Sequence, residues 1–259
     1  MDTIRNTTSK YPFMLPSGES FSTEVSKLGI TPSDTVVIYD APDVGTYNAP
    51  RVAWMFRVFG HGCVHVLNNF RGYCTLGFPV TRGIFSIPYC GDEVQYENRN
   101  QDQNRNEKQG QDENENRYPI PEVNSSLIID YEEVYDIVSR GDTNIQILDS
   151  RAERLFSGKE GYSDPKVNRG HIPGSMNIPF TRVLVDESGA IRSATELKTL
   201  FQRVGVSNTK PTILSCNSGV TAAVLEIALR QAGYTMSMRV YDGSWMEWGV
   251  RSGYSLCSR

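Results

Sequence analysis

Two stretches of this 259-residue chain repeat one order of features, and that repetition constrains the fold more than anything else in the sequence. In the first, the apolar run Thr35–Asp40 leads through a turn to a helical stretch from Ala49 to Phe59, then Gly60 and the run Val64–Leu67. In the second, Thr212–Cys216 leads through a Gly-containing turn to a helical stretch with apolar residues at Val220, Val224, Ile227 and Ala228. Gly233 and the run Arg239–Tyr241 follow. Short continuous apolar runs bounded by turn residues read as buried strands, and the intervening periodicity as helix. The stretch ahead of each unit also matches, Phe21, Val25 and Leu28 echoing Leu197, Leu200, Phe201 and Val204. The expected fold class is α/β, a tandem of one fold in which each copy is a parallel sheet flanked by helices.

The copies differ in length. The second opens near Glu122 with the strand Leu127–Ile129 and a helix capped by Asp130 and Glu133, then adds the strand Ile145–Leu148 and a segment around His171. Ser193 and Glu196 are spaced as a capping box for its next helix. The first copy has almost nothing before Ser17, so on the repeat it lacks roughly sixty residues, and Met1 reads as internal to a longer chain or as the start of a shortened one. The expected boundaries are an incomplete, non-catalytic domain at 1–91, a linker at 92–118 and a catalytic domain at 119–259. The linker is nearly all Asn, Gln, Gly and charged residues, a composition with too little apolar surface to offset its ordering entropy.

The net charge of −4 and the scattered basic residues argue against a nucleic-acid surface. No apolar stretch approaches a membrane span, and Met1–Asn6 lacks a secretory pattern, so no membrane partner is expected. Five cysteines, at 63, 74, 90, 216 and 257, show no close paired spacing. That argues against a disulfide framework and a zinc site and for a reducing, cytoplasmic or mitochondrial setting.

Cys216 is the candidate nucleophile. It falls between a strand end and a helix start, where unpaired N–H groups converge and the helix dipole is positive. Such a cradle suits an anion, and a thiolate is the anion this residue supplies. Asp40 takes the matching place in the first copy and is expected to be structural.

The loop Cys216–Thr221 and the downstream run Val240-Tyr-Asp-Gly-Ser-Trp-Met-Glu-Trp248 resemble the two-domain rhodanese and 3-mercaptopyruvate sulfurtransferase family. Asp149-Ser-Arg151, Gly170-His-Ile-Pro-Gly174 and Ala49-Pro-Arg-Val-Ala-Trp-Met-Phe-Arg57 extend that resemblance over most of the chain. The resemblance implies tandem rhodanese-like domains, the first incomplete, closest to fungal-type 3-mercaptopyruvate sulfurtransferases. It makes Cys216 the sulfur-bearing residue, with Ser218 a proton relay and Asn217, Gly219, Val220 and Thr221 binding substrate. Arg151 is expected to hold a substrate carboxylate. The family's second arginine precedes the phenylalanine at 156, where this chain has Leu155, and Arg154 is the shifted candidate. His171 is expected to shape its loop. Neutral Asn217 and Ser218 resemble the mercaptopyruvate enzymes rather than thiosulfate-preferring rhodaneses, which carry basic residues there. Ser215 and Ala222 replace the His and Arg that related phosphatases need.

The expected function is transfer of sulfane sulfur from a small donor, 3-mercaptopyruvate or thiosulfate, through a Cys216 persulfide to a thiol acceptor such as thioredoxin or a sulfur-carrier protein. No metal or organic cofactor is implied. The competing expectation is a low-turnover persulfide carrier or regulatory module, for example in a tRNA thiolation relay that works through protein partners without direct nucleic-acid contact.

Overall fold

The apolar runs form strands, and the strands sort into two parallel sheets. The computed structural model describes residues 4–81, 117–253 and 257. The first half runs α1 (Gly18–Lys27), β1 (Thr35–Ile38), α2 (Ala49–Val58), β2 (Cys63–Val66) and α3 (Phe70–Thr75). The second runs β3 (Ile128–Ile129), α4 (Tyr131–Ser139), β4 (Gln146–Asp149), α5 (Glu153–Phe156) and β5 (Met176–Asn177). A 3₁₀ turn at Phe180–Val183 precedes α6 (Ala194–Val204), β6 (Thr212–Ser215), α7 (Val220–Gln231), β7 (Met238–Tyr241) and α8 (Ser244–Arg251).

β1 pairs with β2 alone, while the second sheet has the order β3-β7-β6-β4-β5, parallel throughout. Every residue of β4 and β6 is buried, as expected of central parallel strands with helices on both faces. β1 and β2 instead alternate between exposed and half-buried positions, because one face of their sheet is open. Capping follows the sequence in part. Ser193 and Glu196 form the reciprocal box, whereas Asp130 accepts from Glu133 N and the Glu133 carboxylate turns away to Arg239, at 2.5 and 2.7 Å. An available guanidinium outcompetes a backbone N–H for that carboxylate.

The halves share a core. Phe21 stacks on Phe59 at 4.3 Å and meets Phe56 and Tyr118 edge-on, while Trp54, fully buried, donates Nε1–H to Leu127 O at 3.1 Å. Each such side chain withdrawn from water contributes on the order of 2 kcal/mol. α2 lies along α7, where Arg57 reaches the Glu226 carboxylate, 1% exposed, at 2.5 Å. Tyr118 was expected to end the linker; it is buried, and its carbonyl accepts from Ser22 Oγ, so the packed chain resumes before 119. The rest of that linker, 92–116, and Cys90 lie outside the described residues. No helix among the described residues is long and apolar enough to cross a membrane.

Candidate active site

Parallel-sheet geometry places Cys216. β6 sits inside the sheet, so the chain leaves it through a crevice between neighbouring strand ends and enters α7 at once. Cys216 is 1% exposed. Its N–H and that of Gly219 both donate to Ser244 Oγ, each at 3.1 Å, and the Ser244 hydroxyl donates to Tyr241 O at 2.7 Å. Trp245 N and Met246 N donate to the carbonyls of Cys216 and Asn217, both at 3.0 Å. The start of α8 therefore holds the Cys216 loop by four hydrogen bonds. The N–H groups of Asn217, Ser218, Val220 and Thr221 have no protein acceptor among the described residues, which leaves them to an anion at the head of α7.

Gly219 must be glycine here. Its φ is +76°, and a Cβ would lie 2.6 Å from Arg51 Nη1 and 2.9 Å from Asp242 O. The Asn217 side-chain oxygen is buried without a partner among the described residues. Ser218 is 6% exposed, and Thr221 Oγ1 meets Ser150 Oγ at 2.8 Å beneath the loop. Val220 opens α7 and is buried.

Two tyrosines are coupled electrostatically to Cys216. Partial burial pushes the phenol of Tyr47, still 37% exposed, upward, and the charge of Cys216 adds to that shift. Burial also raises the Tyr162 phenol; Arg151 opposes the rise, and Asp149 and Cys216 add to it. Tyr47 arrives from the first half on a loop that passes Gly189, where a Cβ would stand 2.8 Å from Gly45 Cα. Thr46 N donates to Gly189 O at 2.9 Å, and the Tyr47 ring packs edge-on against Phe180 at 5.4 Å.

Arg151 departs from the expected carboxylate clamp. Its Nε and Nη2 grip Asp149 at 2.6–3.1 Å, Nη2 also donates to Gly170 O at 2.9 Å, and Nη1 reaches Tyr162 Oη at 3.2 Å. The guanidinium lies 4.3 Å over the Trp245 ring, and the side chain is 1% exposed. Asp149 beside it keeps it charged despite the burial. The pair fixes the turn after β4 and braces α8. Arg154 points outward, its side chain 76% exposed and 3.2 Å from Glu160. His171 stacks on Phe156 at 3.8 Å, with Nδ1 2.9 Å from Phe156 O, and so shapes its loop.

Ser244, Tyr47, Tyr162, Arg51 and Asp242 are the neighbours that sequence reasoning did not assign. Ser244 lay inside the quoted Val240–Trp248 run and Arg51 inside Ala49–Arg57, but a pattern does not reveal which loop each one grips. Among the described residues no three His, Cys, Asp or Glu side chains are grouped to hold a metal. A buried thiol at a helix start, beside N–H groups open to an anion, is equipped to attack soft electrophiles such as sulfur and to hold the resulting sulfur anion.

A profile of the rhodanese-like domain matches residues 130–250. The thiosulfate sulfurtransferase of Rattus norvegicus is 36% identical over 97% of this chain and 75% of its own length. The 3-mercaptopyruvate sulfurtransferase of Homo sapiens is 35% identical over the same shares. Among solved structures, the Tum1 protein of Saccharomyces cerevisiae superposes with a TM-score of 0.82 at 29% identity, covering 100% of this chain and 80% of that one. SseA of Escherichia coli, a 3-mercaptopyruvate sulfotransferase with the rhodanese fold, gives 0.71 at 27%, over 93% and 78%. With its parallel sheet, its loop cysteine and relatives matched over nearly its whole length, the chain belongs to the rhodanese-like sulfurtransferase family.

Proposed function

We propose that this sulfurtransferase moves sulfane sulfur from 3-mercaptopyruvate, in preference to thiosulfate, to a thiol acceptor through a persulfide on Cys216. The observation that carries the reading is the loop itself: Cys216 at the head of α7, its backbone clamped by Ser244, beside four N–H groups without protein acceptors among the described residues. In the first step the Cys216 thiolate attacks the donor sulfur, the carbon–sulfur bond breaks, and pyruvate leaves as its enolate and takes up a proton. Ser218, in the loop, is the residue proposed to relay that proton. The sulfur stays as a terminal persulfide anion, stabilised by the free loop N–H groups and the α7 dipole. In the second step an acceptor thiolate attacks this outer sulfur, and Cys216 leaves as a thiolate. A small thiol, thioredoxin or a sulfur-carrier protein fits that chemistry.

Intact mass after incubation with 3-mercaptopyruvate tests the reading. One added sulfur that disappears on Cys216→Ser is the expected result; added sulfur that survives the substitution overturns it.

The second reading, a low-turnover persulfide carrier or regulatory module, is favoured by one observation. Arg151 is committed to Asp149, and Arg154 stands in solvent beside Glu160, so neither sequence-predicted arginine lies free at the loop. Fast loading from a protein persulfide, combined with negligible turnover of 3-mercaptopyruvate, would select it.

A further inference from the structure

Arg51 belongs to α2, in the half of the chain without Cys216, yet it reaches the loop that carries Cys216. Its Nη2 donates to Phe13 O at 2.7 Å and pairs with Asp242 Oδ1. The guanidinium lies over the Trp54 ring at 4.3 Å, and the residue is 3% exposed. Its other terminal nitrogen, Nη1, is buried with no hydrogen-bond partner among the described residues. That nitrogen rests against the catalytic loop, 2.6 Å from where a Cβ of Gly219 would stand. Asp242 is 4% exposed; its second oxygen accepts from Leu15 N at 2.8 Å. Two residues later comes Ser244, the hydroxyl that holds the Cys216 and Gly219 N–H groups.

A buried guanidinium nitrogen left unpaired is costly, and the same position is reached more cheaply by an apolar side chain. The arrangement makes sense if the charge is used. Fixed charges in a dry interior act on a neighbouring ionisable group far more strongly than the same charges in water. Arg51 favours an anion in the loop, and Asp242 opposes it. We infer that Arg51 is a positioning residue for sulfur transfer, seating the Gly219 end of the Cys216 loop and setting the potential in which the sulfur anion forms, with Asp242 as its counterweight. The active loop is thereby tuned from the non-catalytic half. Among the described residues Tyr47 and Tyr162 also interact electrostatically with Cys216, and Tyr162 in turn accepts from Arg151 of the Asp149–Arg151 pair.

The inference rests on Cys216 being the sulfur-bearing thiol, but its test does not need sulfur to move. The rate of Cys216 alkylation by iodoacetamide, followed by peptide mass mapping on the full chain, is measured against pH for the parent, Arg51→Met and Asp242→Asn. Arg51→Met leaves the aspartate charge unopposed and should raise the midpoint of the pH–rate curve by about one unit. Asp242→Asn leaves the arginine charge unopposed and should lower it by a similar amount. Loss of structure alone would move both midpoints the same way, toward that of an exposed thiol. Opposite shifts therefore support the inference, and shifts of the same sign or none overturn it. Arg51→Lys, which keeps the charge without the fork, should retain the parent midpoint while kcat/KM falls about tenfold. If Arg51→Met does not fold, the Asp242→Asn and Arg51→Lys curves still decide, because a parent-like midpoint in Asp242→Asn is incompatible with an active charge at 51.

Discussion

Ser244→Ala removes one oxygen and should disable the catalytic loop. A hydroxyl offers one donor and two acceptor sites, and Ser244 uses all three, toward Cys216 N, Gly219 N and Tyr241 O. The residue is fully buried, so no solvent stands ready to replace the lost oxygen. Each orphaned buried N–H costs about 1–3 kcal/mol. Two of them give roughly 2–6 kcal/mol. A cost of about 3 kcal/mol corresponds to a Tm lower by roughly 6–12 °C for a chain of this size.

Ser244 has a φ of +49°, as unfavourable for alanine as for serine, so Ser244→Ala gains nothing back from the backbone. Ser244→Gly loses the same hydrogen bonds but relieves that strain, and should be more stable than the alanine variant by about 1 kcal/mol. Catalysis should fall further than stability. The Cys216 backbone loses its only side-chain anchor among the described residues, and a misplacement of about an ångström costs on the order of 100-fold in rate. Guanidinium unfolding gives the stability, and stopped-flow single-turnover loading of Cys216 gives the rate. An alanine variant that unfolds within about 0.5 kcal/mol of the parent and loads sulfur at the parent rate would refute the anchoring role.

Two further outcomes are expected. Asn217→Arg combined with Ser218→Lys should shift the ratio of kcat/KM from 3-mercaptopyruvate toward thiosulfate, since added cations favour a doubly charged donor; a parent chain already faster with thiosulfate would defeat the loop argument. Arg57→Met should cost about 2 kcal/mol or more in denaturant unfolding, because it leaves the buried Glu226 carboxylate with Arg230 alone at 2.9 Å, whereas Glu226→Gln should cost less because both arginines can reach water. Equal costs would show that the carboxylate is not the strained partner.

The strands, their parallel order and the Cys216 loop were legible because each is written in contiguous residues. An apolar run, a glycine turn and a periodic helix carry their own signal, and the Ser193–Glu196 box lies within four residues. What was missed depends on partners far apart in the chain. Glu133 is spaced for a capping box, but Arg239 is 106 positions away and takes its carboxylate. Arg151 could be read from the sequence as a substrate ligand or as a partner of nearby Asp149, but spacing could not show that Gly170, Tyr162 and Trp245 use the rest of the guanidinium. Tyr118 closes a stretch that reads as linker, yet it fills the space beside Phe21 and His61. Competition among long-range partners is invisible to spacing.

The two halves meet the same physical problem at the end of a strand and solve it with different anions. After β1, the Asp40 carboxylate accepts from Tyr47 N at 2.8 Å, Ala49 N at 2.9 Å and Asn48 N at 3.0 Å, so these N–H groups leading into α2 are met by a built-in charge. After β6, the equivalent place holds Cys216, and the N–H groups at the head of α7 stay open. A carboxylate fixed in the first cradle leaves no room for a reacting anion; a thiolate in the second can lend its charge to an incoming sulfur. The filled cradle still serves the open one. By gathering residues 47–49, Asp40 starts α2 and so sets the place of Arg51 two residues on, and it fixes the loop that carries Tyr47 toward Cys216. The first half lacks the nucleophile, but its own anion site determines where its side chains enter the active one.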